Sequence, residues 1–287
     1  MRKSKKINIS TVFVIIILLC SIGAAGFFGY KTLYDEISHK QARDEYQNIT
    51  VEYTKPVSLI KTEIAPEETA PLYPERDIDW NALKGINKDY IGWLYFPFTG
   101  NDEEHSFTID YPMVYENYKN QYLRTTFEGE YNPAGAIFMD IMSNPSFYGY
   151  NDIIYGHHMR DNSMFGALEL VHQMDDLDYL KENPQFLYVY TDTACHVYTL
   201  IGYEQVKSSD NIAYAVAYDN KAYDQIKDHI KSLDTYMESD LFTWKGRPEI
   251  LNLSTCDGGV GTNKRFILHF AKIRAYPYAD NGEAAHD

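Results

Sequence analysis

The chain has 287 residues, 45% of them apolar, which is enough to bury a core and excludes a disordered polyelectrolyte. Its net charge is −15, and four of its 26 basic groups (Arg2, Lys3, Lys5 and Lys6) sit in the first six residues, so the remainder is more acidic still. A body that acidic repels nucleic acid and anionic lipid head groups, so no nucleic-acid partner is expected.

Residues 1–8 form a short basic tail, and residues 9–30 (ISTVFVIIILLCSIGAAGFFGY) carry no charge. At about 1.5 Å per residue this run spans roughly 33 Å as a helix, enough for a hydrocarbon core of about 30 Å. The basic tail ahead of it places the N-terminus in the cytoplasm by the positive-inside rule, and everything from about Lys31 outside the cell. The alternative is a cleaved signal peptide with Gly23-Ala24-Ala25 as its cleavage site. The apolar run continues past that point through Phe27, Phe28 and Tyr30, which favours an uncleaved single-pass anchor.

Residues 31–50 are charged and can continue as helix, and residues 51–76 hold four prolines and several glutamates. Together 31–76 read as an extracellular stalk or linker. A globular domain is expected over 77–276, followed by a tail at 277–287. Asp79 is a candidate N-cap for a helix reading WNALKGINKDY. Eight strand candidates follow: 91–97, 111–116, 135–140, 152–156, 186–191, 196–206, 249–256 and 265–275. Each is rich in aromatic or β-branched residues and bounded by Gly, Pro, Asn or Asp. The 26 tyrosines strengthen this bias toward pleated structure. Their spacing points to a closed, mainly β barrel and not to a parallel sheet with crossover helices. Tyr223, Ile226, Ile230 and Leu233 recur at helical spacing, predicting a helix between two late strands, and a second helix is expected near 164–172.

There are three cysteines. Cys20 lies in the apolar run. Cys195 and Cys256 form a disulfide on one reading, since an exported domain meets an oxidising environment. The chain has no CxxC pair, and no metal site or cofactor is expected. Cys256 ends the strand NLSTC, preceded by small polar residues and followed by glycines, which leaves its thiol accessible. On the local pattern alone, catalysis and packing both remain open. His157 and His158 follow the apolar strand IIYG, where an imidazole is well placed for proton transfer at a cleft. Arg265 begins the strand after Cys256; alone it reads as a surface arginine.

Taken together and in this order, YGH at 155–157, LSTC at 253–256 and KRF at 264–266 resemble the sortases, and class B most. WNALKGINKDYIGWLYFP, YPMVY, NQYLRTTFEGEYNPAGAIFMD and HMRDNSMFGAL extend the resemblance over residues 77–276. The late helix stands where class B members carry an extra one. The resemblance implies a sortase-type barrel of about eight strands with N-terminal helices. It implies Cys256 as nucleophile, His157 as the catalytic histidine and Arg265 as the catalytic arginine, with Asn120, Leu123, Ser254 and Thr255 as substrate contacts. His158 is then a neighbour, His196 and His269 are strand residues, and His105 lies in an inserted loop.

The implied reaction cuts a C-terminal sorting motif of a secreted protein after Thr through a Cys thioester. The new carboxyl is then joined to an amine of a peptidoglycan precursor or of a pilin. Papain-like peptidases place Cys before His, whereas here His157 precedes Cys256. A pilin-polymerising sortase is one alternative, although DIDW at 77–80 lacks the proline of the pilus-type lid motif. A peptidoglycan-processing cysteine hydrolase and a membrane-tethered binding module are the others.

Overall fold

The computed structural model describes residues 9–55, 58–59, 73–256 and 263–278. The basic tail, most of the proline-rich stretch, Asp257 and the glycines after Cys256, and nearly all of the C-terminal tail lie outside the described residues.

A single helix, α1 (Ile9–Tyr53), carries the apolar run and the charged segment after it without a break. It is long and apolar enough to cross a membrane. Its first part exposes Phe13, Leu18, Leu19, Ile22, Phe27 and Phe28. Its last part does not: Ala42, Tyr46 and Ile49, spaced four and three apart, are buried against the barrel. A two-stranded ribbon of β1 (Ser58–Leu59) and β2 (Pro74–Glu75) and helix α2 (Trp80–Ile86) come next. The Asp79 side chain accepts from the Ala82 amide, the N-cap read from the sequence.

The strands are β3 (Tyr90–Phe98), β4 (Phe107–Tyr115), β5 (Ile137–Met139) and β6 (Asn151–His157). A 3₁₀ turn at Gly166–Glu169 leads into α3 (Leu170–Gln173), followed by α4 (Leu177–Glu182). Then come β7 (Phe186–Tyr190), β8 (Ala194–Lys207), helix α5 (Asn220–Lys231), β9 (Ile250–Cys256) and β10 (Lys264–Pro277). The eight strands β3–β10 close into one barrel in the order β10-β8-β7-β3-β4-β5-β6-β9, parallel only at β4–β5 and β6–β9. All eight strand candidates and the late helix are present, as the mainly β barrel requires. The predicted 164–172 helix is split into the 3₁₀ turn and α3, and α4 was not anticipated.

Closure buries long stretches of the strands: Trp93, Phe96, Phe98, Phe266 and Phe270 are among the largest wholly buried groups. Cys195 is a buried free thiol, so the disulfide reading does not hold.

The stretch assigned to a stalk is more closely tied to the domain than a linker would be. Tyr46 Oη donates to the Gly135 carbonyl at 2.7 Å and accepts from the Phe127 amide at 3.2 Å, while its ring meets Tyr111 edge-on. The Asn132 amide donates to the Ser38 carbonyl at 2.9 Å. Arg76 grips Asp110 with both terminal nitrogens, its side chain 3% exposed and stacked 5.0 Å from the Trp93 ring. The Ala42, Tyr46 and Ile49 stripe sits among charged residues, which is why composition pointed to a solvated stalk.

Candidate functional site

β6 and β9 run parallel as barrel neighbours, and their register pairs Tyr155 with Ser254, Gly156 with Thr255 and His157 with Cys256. The two strands therefore bring the histidine and the cysteine to the same level at their C-terminal ends. β9 also pairs with β10, with Ile267 opposite Ser254. Arg265, the second residue of β10, lies at the end of that strand next to the C-terminal end of β9. The structure thus gathers His157, Cys256 and Arg265 at one end of three adjacent strands.

Gly156 explains the Tyr-Gly-His run. A methyl group at this position would stand 2.6 Å from Ile137 Cδ1 and 2.6 Å from the Phe165 ring, so only glycine fits between the barrel core and the loop after β6. The two adjacent histidines part company here. His158 Nε2 is 3.1 Å from the Glu169 carboxylate, whereas His157 lines a cleft.

His157 Nε2 lies 2.5 Å from the Leu123 carbonyl oxygen. A carbonyl only accepts, so Nε2 carries a hydrogen and the lone pair of the neutral ring is on Nδ1. Burial lowers the His157 pKa below that of a free imidazole; the Leu123 bond opposes this, and the charges of Arg124 and Arg265 add to it.

The cleft has a volume of about 650 Å³. Arg265, Arg124 and Lys119 supply positive charge along it, and Glu116 and Asp140 negative charge. Its aromatic wall is Tyr155 and Tyr214, stacked with ring centroids 6.3 Å apart, with Phe138 against Tyr155 at 5.4 Å.

Of the four expected substrate contacts, Asn120 and Leu123 line the cleft. Asn120 adopts a left-handed backbone (φ 66°) and its amide donates to Glu116 Oε2 at 2.8 Å. Ser254 and Thr255, the other two expected substrate contacts, are buried. Ser254 Oγ is 2.9 Å from Tyr214 Oη, so it braces a cleft wall. Thr255 Oγ1 accepts from the Phe266 amide at 3.0 Å, stitching β9 to β10 just below Arg265. Sequence reasoning missed Tyr155, Tyr214 and Arg124. Tyr155 was findable, since residues two apart on a strand share a face and it stands two before His157.

The comparisons agree with this geometry. The sortase domain family matches residues 106–273. Sortase B of Staphylococcus aureus is 26% identical over 277 residues, 95% of this chain and 98% of that protein. The crystal structure of Staphylococcus aureus sortase B is similar with a TM-score of 0.55 at 26% identity, covering 70% of this chain and 87% of that one. A Staphylococcus aureus sortase B–substrate complex is similar with a TM-score of 0.59 at 23% identity, covering 85% of this chain and 100% of that one. A closed eight-strand barrel with these likenesses, and with a cysteine and a histidine as register partners, leads to one conclusion: this chain belongs to the sortase family, resembles its class B members, and is a cysteine transpeptidase.

Proposed function

We propose that Cys256 is the nucleophile, His157 the proton carrier and Arg265 the anion stabiliser of this transpeptidase. The observation that carries the reading is the pairing of His157 with Cys256 across β6 and β9, with Arg265 at the adjoining end of β10. The thiolate of Cys256 attacks the carbonyl carbon after the Thr of a sorting motif. The tetrahedral oxyanion is met by the guanidinium, a permanently charged donor. Collapse breaks the C–N bond, and the imidazolium of His157 gives its Nδ1 proton to the leaving amine. A thioester remains. An incoming amine attacks it, Nδ1 takes that amine's proton, and the Cys256 thiolate leaves as the new amide forms. Leu123 has a part in both halves, because its carbonyl keeps Nε2 protonated and Nδ1 available.

In this reading the acyl donors are secreted proteins bearing a C-terminal sorting motif. The sortase B–substrate complex supports this by likeness of fold. The acceptor is an amine of a peptidoglycan precursor; the pilin-polymerising alternative is not favoured. Residues 9–30 of α1 anchor the enzyme in the cell membrane with the N-terminus cytoplasmic, and the barrel works outside.

Mass spectrometry tests the reading. The full chain in detergent micelles is incubated with a peptide library fixed only at Thr and with an amine acceptor. A peptide–amine product that disappears in Cys256→Ala is the expected result. Hydrolysis alone, with amine in excess, would make the protein a cysteine hydrolase. Turnover that survives in Cys256→Ala would remove the proposed nucleophile.

A further inference from the structure

Four residues below Cys256 on β9, about 13 Å along the strand, a row of polar side chains crosses the barrel wall. Asn151 on β6, Asn252 on β9 and His269 on β10 are each no more than 3% exposed. Glu204 on β8 continues the row, and His229 of α5 closes it at the surface. Every link is a hydrogen bond. The Asn151 amide donates to the Ala215 carbonyl at 2.6 Å. The Asn252 amide donates to Asn151 Oδ1 at 2.7 Å and to the Asp152 carbonyl at 3.1 Å. His269 Nδ1 is 2.7 Å from Asn252 Oδ1, and its Nε2 is 3.0 Å from Glu204 Oε1. His229 Nε2 is 2.8 Å from the same carboxylate oxygen.

Two backbone carbonyls set the direction of the whole row. Ala215 O and Asp152 O only accept, so both asparagines turn their nitrogens toward them and their oxygens toward the next member. His269 Nδ1 must then donate to Asn252. Burial works against the Glu204 charge, but the hydrogen bonds and charges of His269 and His229 outweigh it and hold this carboxyl below the usual range. His269 thus bridges Asn252 and the Glu204 carboxyl.

The far end of the row explains its use. Ala215 lies between Tyr214 and Val216, both of which line the cleft. Side-chain hydrogen bonds join the 208–219 segment that carries them to the β6 and β9 strands: Tyr214 Oη to Ser254, and the Ala215 carbonyl to Asn151. We propose that Asn151 is a positioning residue for transpeptidation: oriented by Asn252 and the hydrogen-bonded His269–Glu204 pair, it holds the Ala215 carbonyl and thereby sets the distance between the Tyr214–Val216 wall and the His157 and Cys256 strands. The substrate peptide then meets a wall held by the same two strands that carry the reacting groups. This rests on the transpeptidase reading for its effect on catalysis, but the tie itself is tested without any substrate.

Asn151→Asp isolates the tie. The carboxylate still accepts from Asn252, but it offers no hydrogen to Ala215. In the full chain in detergent, amide hydrogen exchange over 208–218 is expected to rise at least 10-fold, while β6 and β9 stay protected. With the best-cleaved peptide of the Thr-fixed library, KM is expected to rise about 5–20-fold with kcat within twofold, a split that simple loss of folded enzyme would not produce. His229→Leu, at the exposed end of the row, serves if Asn151→Asp does not fold. It is expected to raise exchange in the same segment and KM by about 2–5-fold, with His229→Gln, which keeps a donor to Glu204, restoring both. Unchanged exchange over 208–218 in a folded variant overturns the proposal, as does a fall in kcat at constant KM. Absence of cleavage by the unaltered chain would instead count against the transpeptidase reading, and the exchange result would still decide the tie.

Discussion

His157 Nε2 sits 2.5 Å from the carbonyl oxygen of Leu123, and this contact decides which ring nitrogen exchanges protons. Burial and the charges of Arg124 and Arg265 also keep the ring mostly neutral near pH 7.

The pH profile of kcat/KM follows from that. Its acid limb belongs to His157 and is expected below pH 6.5, because the imidazole pKa is lowered. His157→Ala should lose about 10²–10⁴-fold in kcat. Stopped-assay rates from pH 4 to 10 check both. An acid limb centred above pH 7 would contradict the placement of this ring.

Arg265 acts on two things at once. Arg265→Met should lower kcat by about 10²–10³-fold, the usual cost of losing an oxyanion donor. It should also raise the His157 pKa, because one of the charges that depress it is gone. Arg265→Lys is not expected to restore the rate, since an ammonium lacks the planar fork. NMR titration of the His157 ring resolves the second effect, and an unmoved pKa would show that the guanidinium does not act on this imidazole.

Tyr46 ties α1 to the loop that carries Leu123. Its hydroxyl bonds both Gly135 and Phe127, and it is buried. Tyr46→Phe leaves both partners unmatched and should cost about 1–3 kcal/mol of barrel stability. Urea unfolding of the full chain in micelles, followed by tryptophan fluorescence, measures it. A midpoint equal to that of the unaltered chain would mean that the helix contributes nothing to the barrel.

His196 predicts an acid weakness at the other end of the barrel. It is 1% exposed, its Nδ1 has no hydrogen-bond partner among the described residues, and burial together with the charge of Lys272 pushes its pKa down to about 4. Below pH 6.5 the unfolded chain takes up a proton that the folded His196 refuses until about pH 4. This group's contribution is present above 6.5 and is lost as the pH falls through that window. His196→Leu should therefore be less acid-sensitive, retaining about 1–2 kcal/mol more at pH 5 relative to pH 7.5. Identical pH dependence in both proteins would sink the assignment.

Much of this protein was legible in its sequence, because the signals are local. The aromatic content of IGWLYFP and the alternation along NLSTC each point to a strand from a few neighbouring residues, Asp79 caps its helix through a residue three positions on, and the uncharged run at 9–30 gives a membrane-length helix by itself. The motifs around His157, Cys256 and Arg265 supplied the residues proposed to react. Only the tertiary structure decided what those groups touch. That His157 pairs with Cys256 is a matter of register between distant strands, and one residue of slip would turn every side chain to the other face. The Leu123 carbonyl on His157, the helix stripe of Ala42, Tyr46 and Ile49 against the barrel, and the row from Asn151 to His229 are likewise products of barrel closure. Ser254 and Thr255 show the same division. Their motif placed them beside Cys256, and packing turned their hydroxyls to Tyr214 and Phe266.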